Sequence, residues 1–152
     1  MIYVDSNYWI YWLDSRLPEH EAVLRTMRKA IKEGITTNYV TLLEVAHHLR
    51  MLPKQEFSDL MENIQSLATL KIFDLDRRIA DSALKMIPEY ASLGLGSRDC
   101  VILATMRASG VVRIATHDQA FKRVPWVEAI DDVSEGRGGE TRKRSRTSAT
   151  AG

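Results

Sequence analysis

Met1–Asn7 reads MIYVDSN, a run of four apolar residues broken by Asp5, Ser6 and Asn7. The apolar half is too short for periodicity to separate strand from helix. The three polar residues after it are all types that cap the exposed N–H groups of a helix start. Strand, cap and helix in immediate succession is the pattern of a strand in an α/β sheet, and it organises the rest of the chain. Tyr8–Leu13 is the expected first helix. Glu19–Glu33 follows Pro18, places Val23, Met27, Ala30 and Ile31 at helical spacing, and stops at Gly34.

Ile35–Thr37 is expected as a second short strand. Thr41–Met51 (Leu42, Val45, Ala46, Leu49) and Pro53 to about Leu67 are the next two helices. Leu70–Phe73 alternates as a strand does. Asp76–Leu93 carries Ile79, Ala83, Met86 and Ile87 on one stripe, with Pro88 expected to bend or break it. Ser97–Ser109 is a helix capped by Ser97 and stopped by Gly110. Val111–Ala115 reads as a buried strand, Asp118–Lys122 as a short helical turn, and Val127–Ile130 as the last strand. Short apolar strands alternating with helices predict a mainly parallel sheet.

Composition narrows the function classes. The chain has 152 residues, 45% hydrophobic and 27% charged, enough for one globular core. Cys100 is the single cysteine, which excludes a disulfide framework and a Cys-rich zinc site. No uncharged run approaches the ~20 residues that span a bilayer. Met1–Leu13 lacks the basic start of a secretory signal, so the expected location is the cytoplasm. No GxxxxGK[ST] motif is present, which argues against a P-loop nucleotidase.

The formal net charge is +1, but its placement is uneven. Residues 134–152 carry five basic side chains (Arg137, Arg142, Lys143, Arg144, Arg146) against Glu135 and Glu140. Residues 1–133 carry 16 basic and 18 acidic side chains. The expected organisation is one domain over 1–133 followed by a basic, flexible tail over 134–152.

Four carboxylates then stand out. Asp5 follows the first strand and Asp118 follows VVRIATH. Glu44 lies inside the apolar TLLEVAHHL, and Asp99 lies in the first turn of SRDCVILATM. Each has an ordinary reading: Asp5, Asp99 and Asp118 as helix caps, Glu44 as the partner of His47 or His48. Parallel sheets, however, bind ligands outside the carboxyl ends of their strands, where strand ends and helix starts converge. Clustered carboxylates repel unless they take up protons or bind a cation. An all-oxygen set favours Mg²⁺ or Mn²⁺, whose usual work is phosphate chemistry.

In this order and spacing, MIYVDSN, TLLEVAHHL, DCVILATM and IATHDQAF resemble the PIN domains, and more narrowly the small single-domain ribonucleases of the VapC toxin type. The resemblance covers about residues 1–132. It implies a three-layer sandwich around a parallel sheet of about five strands. It also implies one or two Mg²⁺ or Mn²⁺ ions held by Asp5, Glu44 and Asp99, with Asp118 at the family's more variable fourth acid. Thr116 and Ser6 match supporting positions. His117 stands where the family more often has another residue type, and it is not assigned to catalysis.

The implied activity is metal-dependent endonucleolytic hydrolysis of RNA, leaving 5′-phosphate and 3′-hydroxyl ends. The implied partners are a second copy of the chain and an antitoxin of the VapB type. Arg98 is a candidate contact for a substrate phosphate or a surface ion pair. Arg142, Lys143 and Arg144 are candidate RNA contacts or part of a solvated end. An RNA-processing PIN nuclease without antitoxin and a catalytically inactive RNA- or protein-binding module remain open, while a phosphoacceptor domain lacks the late strand-end Lys it needs. In the first helix, Tyr8, Trp9, Tyr11 and Trp12 exceed what one buried stripe hides. Either all four are core, or at least one is exposed near Asp5 as a base-stacking surface or, the favoured reading, a protein contact.

Overall fold

The computed structural model describes residues 1–134. The basic tail, with Arg142, Lys143 and Arg144, therefore lies outside the described residues apart from Ser134. Five strands, β1 (Ile2–Val4), β2 (Ile35–Asn38), β3 (Leu70–Phe73), β4 (Arg113–Ala115) and β5 (Glu128–Ile130), form one sheet in the order β3-β2-β1-β4-β5. Every pairing is parallel. Among the described residues, six α-helices accompany it: α1 (Ser6–Leu13), α2 (His20–Glu33), α3 (Tyr39–His48), α4 (Lys54–Gln65), α5 (Arg77–Tyr90) and α6 (Ser97–Ser109).

Strand side chains alternate between two cores. Ile2, Val4, Ile35 and Ala115 pack with Tyr8, Trp9, Val23, Met27 and Val45 on one face. Tyr3 and Ile114 pack with Met86, Ile102, Leu103, Met106 and Phe121 on the other. All of Ile2, Tyr3 and Val4 are fully buried, so β1 is apolar on both faces and shows no polar alternation. The result is the expected three-layer sandwich. No helix among the described residues is long and apolar enough to cross a membrane.

Strand order positions the ligand crevice. From β1 the chain moves outward through β2 and β3 on one side, then returns to β4 and β5 on the other. The order therefore reverses between β1 and β4, and the crevice opens at their carboxyl ends.

Several local expectations are corrected. Gly96, not Ser97, is the N-cap of α6, and Asp99 reaches back to the Gly96 N–H. β4 begins at Arg113 rather than Val111. α5 continues through Pro88 to Tyr90 instead of breaking there. In α1, Tyr8 and Trp9 are fully buried, while Tyr11 and Trp12 are half-buried against the core, so none of the four is fully exposed. Trp12 rests edge-on against Trp9 at 5.9 Å, which explains how a short helix conceals so much aromatic surface.

Candidate active site

Asp5 sits at the switch point. Its backbone N–H donates to Ala115 O at 3.1 Å, which fixes it beside the end of β4. One side-chain oxygen accepts the Ser6 N–H at 2.7 Å, capping α1. The other accepts the Thr116 hydroxyl at 2.8 Å. The residue is fully buried. Burial pushes its carboxyl above the usual carboxylate range, opposed by the Thr116 and Ser6 hydrogen bonds and by the charge of Arg98.

Thr116 is a hub. It donates to Asp5, accepts the Asp118 backbone N–H at 3.0 Å and lies 3.4 Å from Asn7 Nδ2. The Asn7 side-chain oxygen in turn accepts the His117 backbone N–H. Asn7 was not singled out from sequence, although its place in the first turn after Asp5 was the available signal. Asp118 joins this network through its backbone N–H on Thr116, and its own carboxylate accepts the Ala120 N–H, capping the 3-10 turn Gln119–Arg123.

Glu44 and Asp99 arrive on separate helices. Asn38 orients both: its side chain accepts the Val40 N–H to cap α3 and donates to Thr105 of α6 at 3.1 Å. The Tyr3–Thr41 hydroxyl contact at 2.7 Å ties α3 to β1. Glu44 does not pair with His47 or His48. Its partner is Arg98, whose Nη1 donates to Glu44 Oε2 while Nη2 donates to Asp99 Oδ1 at 3.2 Å. The structure thus brings Glu44, Asp99 and Arg98 into direct contact, places Asp5 within reach of the Arg98 charge, and leaves Asp118 one hydroxyl away.

An open groove of about 540 Å³ begins at this cluster. Ser6, Glu44 and Arg98 line it together with the apolar Ile10, Val40 and Leu43 and with His47, His48 and Arg50. On the other side of Thr116, His117 is held through Nδ1 by Asp131 at 2.9 Å. The lone cysteine, Cys100, is buried in α6, as a small apolar side chain in that position should be.

A family model describes this arrangement, matching residues 2–127. The chain belongs to the PIN domain family. No curated protein matches it by sequence. Among solved structures, VapC20 of Mycobacterium tuberculosis, a sarcin-ricin loop cleaving toxin, superposes on this PIN domain with a TM-score of 0.69 at 15% identity, covering 84% of this chain and 98% of that one. FitAcB of Neisseria gonorrhoeae gives 0.66 at 22%, covering 87% and 98%. VapBC2 of Rickettsia felis, bound to a fragment of its promoter DNA, gives 0.63 at 21%, covering 86% and 98%. At these identities the likeness establishes the shared fold.

The family implies a divalent ion, and the donor set of this PIN domain fits one. Asp5, Glu44 and Asp99 offer hard carboxylate oxygens from three elements, with no cysteine among them. Asp5 is a fully buried carboxylate whose charge is stabilised by hydrogen bonds from Ser6 and Thr116 and by the charge of Arg98, so a metal would relieve its burial. Among the described residues, no three His, Cys, Asp or Glu side chains are already drawn together as a metal cluster. Arg98 supplies the positive charge between two of them.

Proposed function

We propose that this PIN domain is a Mg²⁺- or Mn²⁺-dependent endoribonuclease, the toxin of a toxin–antitoxin pair. The supporting observation is the buried Asp5 at the β1/β4 switch point, within electrostatic reach of Asp99 and Arg98 of α6. Asp5, Glu44 and Asp99 hold one or two ions, and Asp118 completes the set. Held there, the ion would supply charge to offset a phosphate and to acidify a water.

The chain's own residues provide the rest. Thr116 and the Ser6 N–H hold the two oxygens of Asp5 in fixed directions. Gly96 N–H does the same for Asp99. Arg98, at the mouth of the groove, draws the phosphodiester towards the carboxylates. Hydrolysis adds water's oxygen to phosphorus and releases the 3′ oxygen with a proton, giving 5′-phosphate and 3′-hydroxyl ends. A toxin–antitoxin complex from Klebsiella pneumoniae is also a fold relative, which supports an antitoxin as this chain's regulator. The same reading places the protein in the cytoplasm as a homodimer, with Arg142, Lys143 and Arg144 as auxiliary RNA contacts.

The test is incubation of the purified protein with structured RNAs in Mn²⁺, beside EDTA and an Asp5→Asn/Asp99→Asn double variant. Cleavage is expected in Mn²⁺ alone, with 5′-phosphate ends. Cleavage that survives the double variant overturns the assignment.

A further inference from the structure

Arg98 is a cation in an unfavourable place. It is the second residue of α6, after the Gly96 cap, where the helix end is already positive and acidic side chains are preferred. A guanidinium there needs compensation from elsewhere, and it finds it in two carboxylates. One belongs to its neighbour Asp99; the other, Glu44, is 54 residues away on α3. The Arg98 charge also reaches Asp5. Arginine does not lose its proton under ordinary conditions, so the site cannot discard this charge by titration.

The same guanidinium stands in the way of a divalent ion. Asp99 has both oxygens engaged, Oδ1 by Arg98 and Oδ2 by the Gly96 N–H. Glu44 Oε2 is engaged by Arg98. An ion shared by Glu44 and Asp99 would meet a positive charge already bridging them. The Arg98 side chain is 38% exposed, so it has an open path away from the pair. We infer that Arg98 is a resident counter-ion: it holds the metal-free carboxylates together, competes with the divalent ion for Glu44 and Asp99, and swings clear when the ion enters.

This rests on the carboxylate edge being a metal site. It adds that the chain carries its own competitor, so that metal affinity is set below what the acids alone would give. Arg98 is in this respect a positioning residue, acting through Glu44 and Asp99.

The experiment uses the full chain and Mn²⁺ alone, by titration calorimetry and by thermal melts in EDTA and in saturating Mn²⁺. Arg98→Gln is expected to bind Mn²⁺ about tenfold tighter than the parent, since a nearby opposing charge is gone. Arg98→Lys keeps the charge but loses the fork that spans two carboxylates, and is expected to tighten binding by a smaller factor. In EDTA, Arg98→Gln should melt below the parent; in saturating Mn²⁺ the gap should close. A merely structural arginine would lower both melts equally.

Unchanged or weaker Mn²⁺ binding in the variants, or an equal gap in both melts, overturns the inference. Should Arg98→Gln not fold, Arg98→Lys decides on the same criterion. Asp5→Asn separates the two levels. If it abolishes parental Mn²⁺ binding while the Arg98 variants behave as the parent, the metal site stands and the competitor falls. If neither parent nor variants bind Mn²⁺, both fall.

Discussion

Two buried aspartates of this chain show how partners decide what a carboxylate is for. Asp131 accepts hydrogen bonds from His117 at 2.9 Å, Gln119 at 3.0 Å, Lys122 at 2.8 Å and the Ser134 hydroxyl. Burial alone would push its carboxyl up, but those from Lys122, Ser134, His117 and Gln119 hold it well below the usual range. Asp5, more deeply enclosed, has only neutral donors, from Ser6 and Thr116, and stays raised. Asp131 is thus spent on structure, fastening the β4 loop to the end of β5, whereas Asp5 retains capacity for a cation. The sign for Asp131 follows from its lowered value. Its contribution is present above about pH 4, the ordinary carboxylate pKa, and is lost as pH falls towards the folded value. Asp131→Asn turns an amide towards Lys122 or Gln119 and is expected to cost about 2 kcal/mol at pH 7. Urea melts of parent and variant should converge as the pH is lowered below about 4. Parallel curves down to that range would refute the role.

At the scale of elements, much of the site was legible because it lies at transitions. A strand followed at once by Asp5 and a helix with Asp99 in its first turn are local patterns, and parallel topology brings such transitions to one edge. The partner of Glu44 was not legible. Helical spacing offered His47 and His48 as neighbours, whereas Arg98 is brought in by the fold. Pro88 illustrates the same limit. Proline removes an N–H and crowds the preceding turn, which predicts a break. It lies in the last turn of α5, however, where the residue four positions back that would have paired with its missing N–H is Leu84, on the exposed side of the helix. The buried stripe Ile79, Ala83, Met86 and Tyr90 holds the helix through it. Pro88→Ala restores the missing N–H. It is expected to stabilise by about 1 kcal/mol, less than the ~3 kcal/mol of a mid-helix proline, because the unfolded chain also gains freedom. Equilibrium unfolding measures this; a loss of stability would mean that the proline shapes the turn leading to Gly94.

Across the whole molecule, a net charge near zero conceals a slightly acidic body over residues 1–133, in which the buried Asp5 and the Glu44–Arg98–Asp99 contact are the proposed cation site. Metal binding should therefore register globally as well as locally. An ion that binds only the folded chain adds about 2.7 kcal/mol at 100 times its Kd, independent of any reaction. For a chain of this size that corresponds to roughly 5–10 °C in melting temperature. Asp5→Asn should abolish this response. It should also melt no lower than the parent in EDTA, because it replaces a buried, raised carboxylate by a neutral group of the same shape. The combination is diagnostic: a residue kept for folding loses stability when changed, and one kept for a cation loses only the response to it. Differential scanning fluorimetry of both proteins across a Mn²⁺ series distinguishes these outcomes. A parent that ignores Mn²⁺, or an Asp5→Asn protein that melts far below it in EDTA, would make Asp5 a structural cap and remove the reason for the acidic edge.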